Sequence, residues 1–97
     1  MRSIGIDIKI PVSIFKEGRQ FVAYTPVLDI STCGGTITSA KKRFAEVVDI
    51  FFEECITRGT LDDALENLGW KKMKRQWHAP KLVSHSEKRV RIPSLAE

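Results

Sequence analysis

Ninety-seven residues, 42% of them hydrophobic, suit one small domain with a single modest core. Two cysteines without a CxxC pair exclude a disulfide scaffold, and no apolar run is long enough to span a membrane. The net charge of +4 is unevenly placed: residues 1–70 carry eight Lys/Arg and ten Asp/Glu, a net −2, whereas residues 71–97 carry eight and two, a net +6.

Asp7 and Lys9 interrupt the apolar positions of the first residues, which excludes a signal peptide there. The expectation is a soluble cytoplasmic protein with reduced thiols. A mildly acidic body joined to a basic segment implies an anionic partner for the segment, or simply a solvated tail. The chain reads as one domain over residues 1–97, with a core at 1–70 and a basic C-terminal segment at 71–97.

Ile4, Ile6, Ile8, Ile10, Val12 and Ile14 occupy alternate positions, so period two predicts a long first strand with all of them on one face. Asp7, Lys9 and Ser13 point the other way, so the opposite face of the sheet is expected to be wet. Pro11 places the strand at an edge or in a bulge. Lys16-Glu17-Gly18-Arg19 reads as a hairpin loop, Phe21–Tyr24 as the returning strand, and Leu28 to Cys33 as a third strand after a break at Pro26.

From Ile37 the period becomes helical. Ala40, Phe44, Val47, Val48, Phe51 and Cys55 form one apolar stripe, and Gly59 suits the left-handed residue that ends such a helix. Thr60 offers an N-cap, with Asp62 and Asp63 in the first turn of a short second helix over Leu61–Leu68 that stops at Gly69. Trp70 is expected to anchor this unit on the core. Beyond it, Lys81-Leu82-Val83 and Lys88–Ile92 are expected strands, with Ser84–Glu87 turning between them. The predicted class is α+β: a three-stranded antiparallel sheet covered by one long helix, a short second helix, and one or two further strands in the C-terminal segment.

Catalytic constellations are scarce. His78 and His85 both lie in the basic segment, far in sequence from Cys33 and Cys55, so neither a zinc site nor a Cys–His pair is assembled, and Cys33 reads as a buried structural cysteine. Asp7 and Asp29 lie on strand-like stretches, but two carboxylates do not make a two-metal nuclease site. Lys41-Lys42-Arg43, near the Gly34-Gly35-Thr36 corner, reads as an anion-receptive spot or a solvated polar face. In the basic segment, Lys71, Lys72, Lys74 and Arg75 flank Trp77, and Arg89 and Arg91 follow; the cations would meet phosphates and the indole would stack on a base. Alternatively Trp77 faces the core with lysines lying around it. No enzyme, cofactor or metal is expected.

The succession IPVSIFKEGRQFVAYTPVLDISTCGGT, an amphipathic helix and RGTLDDALENLGW resembles the HicB-like antitoxins of prokaryotic toxin–antitoxin pairs over about residues 8–70. Tyr24-Thr25-Pro26-x-Leu28-Asp29 and Cys33-Gly34-Gly35-Thr36 are its most telling segments. The resemblance implies a β-β-β-α core similar to a partial ribonuclease H-like fold without its catalytic residues. It further implies a protein that self-associates and neutralises a small HicA-like mRNA-cleaving toxin. Many members also bind operator DNA through a C-terminal helix-turn-helix or ribbon-helix-helix.

This chain departs from that pattern in three places. Ile37-Thr38-Ser39 follows the corner threonine where the family often carries an acid, so the reciprocal carboxylate contact of a capping box is absent. Met1 to about Asp7 forms an N-terminal extension. Lys88–Pro93 resembles the opening strand of a ribbon-helix-helix, but Glu97 follows before any helices, so a separate DNA-binding domain is not expected. The leading expectation is therefore an antitoxin-like binding module, with nucleic-acid binding through residues 71–97 as the alternative.

Overall fold

A computed structural model describes residues 8–94. Three antiparallel strands, β1 (Ser13–Glu17), β2 (Gln20–Thr25) and β3 (Ile30–Gly34), form a sheet in the order β1-β2-β3. Glu17 faces Gln20, so Gly18 and Arg19 alone make the first turn. Gly18 takes φ +61°, the conformation a tight hairpin asks of its first central residue. The fold is α+β, as its hydrophobic periods predict.

The first strand is shorter than its alternation suggests. Ser13 pairs with Tyr24, and β2 ends one residue later at Thr25, so residues 8–11 have no strand opposite them. Pro11 lacks an N–H and biases Ile10, its predecessor, without forming a bulge inside a ladder. Ile10 and Ile14 still pack on the core, whereas Ile8 and Val12 are exposed. Ile4, Ile6 and Asp7 lie outside the described residues.

Helix α1 (Ile37–Arg58) covers one face of the sheet. Ala23 of β2 meets Ala40 and Phe44 there, with Ile14, Phe21, Ile30 and Val48 packed around them. Two alanines leave little between the layers, and the helix start comes closer still. A Cβ on Gly34 would stand 2.7 Å from the Ala40 nitrogen and collide with the Ser39 hydroxyl, so only glycine fits at the end of β3. Thr32 Oγ1 donates to the Ala40 carbonyl at 3.0 Å and fixes the same approach.

The helix ends carry their own signals. Ser39 N donates to Thr36 Oγ1 at 3.0 Å and Thr36 N donates to Ser39 Oγ at 3.1 Å. A capping box thus exists even though the chain lacks an acid there, because the Ser39 hydroxyl completes it. At the other end Gly59 takes φ +69°, Gly59 N donates to Ile56 O, and Thr60 N donates to Cys55 O, the Schellman pair. Within the apolar stripe, Val47 proves exposed and Phe52 turns inward to meet Phe51 edge-on, their centroids 5.2 Å apart.

A second core cluster lies beyond the sheet. The loop at 26–29 that joins β2 to β3 buries Val27 and Leu28 against Leu65 and Trp70. Helix α2 (Leu61–Asn67) starts after Thr60, whose side chain makes no cap bond, contrary to expectation; Asp62 and Asp63 meet the first-turn dipole instead. Gly69 at φ +89° ends it with a second Schellman pair, Gly69 N to Glu66 O and Trp70 N to Leu65 O. That turn aims Trp70 inward, where its indole N–H donates to the Val27 carbonyl at 2.7 Å. Leaving such a buried donor unpaired would cost about 1–3 kcal/mol. Trp70 is the anchor the sequence implies.

The further strands are real but lie elsewhere than predicted. β4 (Lys71–Met73) and β5 (Gln76–His78) form a separate two-stranded antiparallel sheet. Residues 81–83 and 88–92 hold no strand, and the chain from 79 to 94 runs without regular secondary structure. Leu82, Val83, Val90 and Ile92 are exposed along it.

Candidate functional site

Two surfaces remain after the core is filled: the uncovered face of the three-stranded sheet, and the β4–β5 hairpin with the segment that follows it. Opposed residues in a ladder share a face, so the register assigns the first surface directly. Phe15, Val22 and Cys33 form one cross-strand row on the face away from α1, and Ser13, Tyr24 and Ser31 form the next. Phe15 is 52% exposed, and Cys33 is exposed as well, not buried as its sequence context implies. The face expected to be wet is therefore apolar at its centre. Neither Phe15 nor Val22 stands out in the sequence, because their row exists only once the register is known.

Tyr24 reaches from this face to the end of the loop at 26–29, where its hydroxyl donates to Asp29 Oδ1 at 3.2 Å. Asp29 lies in this turn, before β3, with φ +53°, which a short acceptor side chain tolerates. Desolvation, then this hydrogen bond and the nearby negative charge, raise the tyrosine above its usual range. The aspartate is engaged in the turn, and Asp7 lies outside the described residues. Among the described residues no group of three His, Cys, Asp or Glu is placed to hold a metal ion, and Cys33 and Cys55 are free thiols.

In the hairpin, Lys71 faces His78, Lys72 faces Trp77 and Met73 faces Gln76. The Lys72/Trp77 pair turns toward the body: Trp77 is half-buried against the Val27, Leu28, Leu65 and Trp70 cluster. Lys72 Nζ lies 5.7 Å from the indole centroid and 3.8 Å from Asp62 Oδ2. Core packing and cation covering thus both act on Trp77. Lys71, Lys74, Arg75 and His78 are exposed, as are Arg89, Arg91 and His85 in the extended segment. Among the described residues the ion pairs are Glu54–Arg58 and Asp62–Lys72, so Lys71, Lys74 and Arg75 have no carboxylate partner there.

At the base of the hairpin the chain before β1 passes close to the chain after β5. Lys9, His78 and Lys81 border a groove of about 310 Å³ whose wall includes Pro11, Trp77 and Leu82. Among the described residues no acidic side chain lines it. The structure thus brings Lys9, which sequence reasoning passed over as a binding residue, to the same groove as Trp77. Lys41, Lys42 and Arg43 stand apart as exposed groups on the first turns of α1.

Compared with protein-family models, with curated proteins and with solved structures, the chain matches none. No helix among the described residues is long and apolar enough to cross a membrane.

Proposed function

We propose that the chain is a non-catalytic, antitoxin-like protein of HicB type that binds and neutralises a small HicA-like mRNA-cleaving toxin. The observation that carries the reading is the sheet face opposite α1, where no layer among the described residues covers the Phe15–Val22–Cys33 row. An exposed aromatic on the edge strand of such a row is the kind of anchor that protein interfaces use. The resemblance over residues 8–70 supplies the partner class, and the strand–strand–strand–helix order agrees with what that resemblance implies. The net −2 of residues 1–70 complements a basic, RNA-cleaving partner and would steer its approach. β1 and β3 are both sheet edges, which leaves room for the self-association that belongs to the same reading.

The test is co-expression with the product of the adjacent small open reading frame. The expected outcome is a complex that survives purification, and growth restored when the neighbour is induced. Lack of both a complex and rescue would overturn the reading.

A further inference from the structure

We infer that the groove at the base of the β4–β5 hairpin binds single-stranded nucleic acid, one base packing against Trp77 and the flanking phosphates meeting Lys9 and Lys81. This site is separate from the open sheet face and does not depend on the toxin-binding reading. Three observations converge on it. The groove, at about 310 Å³, has an apolar wall in Pro11, Trp77 and Leu82 and a cationic border in Lys9 and Lys81, with no carboxylate among the described residues that line it. His78 adds a ring N–H in either neutral tautomer. Around it the surface stays basic: Lys71 stands opposite His78 across the ribbon, and residues 71–94 hold eight Lys/Arg against Glu87 alone.

The combination of a basic track and an aromatic wall is how single strands are held without sequence preference, bases against the ring and phosphates on the cations. A duplex fits poorly because its bases are stacked inside and cannot reach a recessed indole. Lys72 belongs to the support of the site. It lies over Trp77 and pairs with Asp62, holding the ring between hairpin and core. Base packing and phosphate pairing are open to both backbones, so RNA and DNA single strands should bind alike.

The experiment titrates the full chain into fluorescein-labelled oligo-dT and oligo-U of about ten nucleotides at low salt, a length within the usual site size. Tryptophan emission is followed in parallel. Trp70 is buried in the core, so quenching on binding reports Trp77. The expected result is saturable binding of both oligomers, at least about tenfold tighter than a duplex of the same length, with emission quenched. Trp77→Phe should keep affinity within a few-fold but lose the quench, and Trp77→Leu should weaken binding about tenfold. Lys9→Ala with Lys81→Ala should weaken it and lower the salt slope by about 1.4, the sum for two single-strand phosphate contacts. Lys41→Ala with Lys42→Ala removes the same charge from α1 and should change neither. The inference is overturned by any of three results: no single-strand binding at low salt, a duplex bound as tightly, or equal losses from the groove and α1 pairs.

Discussion

Tyr24 is the chain's only tyrosine, so its ionisation can be followed without interference. Desolvation raises its pKa most, followed by the hydrogen bond it donates to Asp29 and by that carboxylate's charge. A raised phenol pKa means the folded chain keeps a proton that the unfolded chain loses near pH 10. The resulting stability is fully present below about pH 10 and is lost as pH rises through the folded value. Tyrosinate absorbance should therefore titrate at higher pH in the folded protein than in urea. Asp29→Asn removes the charge while keeping a residue that tolerates φ +53°. Its tyrosine should titrate between the wild-type and unfolded values, because desolvation remains. A variant indistinguishable from wild type would show that the carboxylate plays no part.

The β4–β5 hairpin turns through Lys74 at φ +51° and Arg75 at φ +65°, with Met73 opposite Gln76. Two consecutive left-handed residues make the I′ turn, which Asn-Gly suits and branched or long side chains do not. Each non-glycine residue held there costs on the order of 1 kcal/mol. Lys74→Asn with Arg75→Gly should raise stability by about 1 kcal/mol, seen as a higher urea midpoint at unchanged m-value. An unchanged or lower midpoint would mean that the strain is absorbed elsewhere. The same turn explains why this ribbon is hidden in the sequence. Lys-Arg carries no turn signal, and three-residue strands are too short to show a period. Val90 and Ile92 do alternate with Arg89 and Arg91, yet alternation makes a strand only where a partner lies alongside. The first strand fails in the same way, its pattern running on past the end of β2. The helices were legible because their bonds are local: the stripe of α1 and the glycines at 59 and 69 need no distant partner. Ser39 completes the Thr36 cap by a route the sequence leaves open, since a hydroxyl can reach the same N–H as a carboxylate.

At the scale of the molecule, residues 8–94 span 61 × 30 × 25 Å with a radius of gyration of 17.0 Å. A compact domain of about 100 residues would measure about 13 Å. The excess reflects the segment 79–94, which has no regular secondary structure and exposes both its cations and its apolar groups. The basic segment was legible as a charge pattern, but the groove was not, since it joins Lys9 to Lys81 across the whole sequence. Two surfaces of different character result, and they can be separated by substitution. Phe15 is half in solvent and contributes little to the core, so Phe15→Glu should leave thermal stability nearly unchanged. It places a charge in the apolar row, where truncating an interface anchor costs about 2 kcal/mol or more, roughly thirtyfold in affinity. Capture of the proposed toxin in co-expression should therefore be lost while oligonucleotide binding persists. Lys9→Ala with Lys81→Ala should show the reverse, weakening the oligonucleotide and sparing the toxin. If Phe15→Glu captures the toxin as well as wild type does, the sheet face is not the binding surface, even where the complex itself forms.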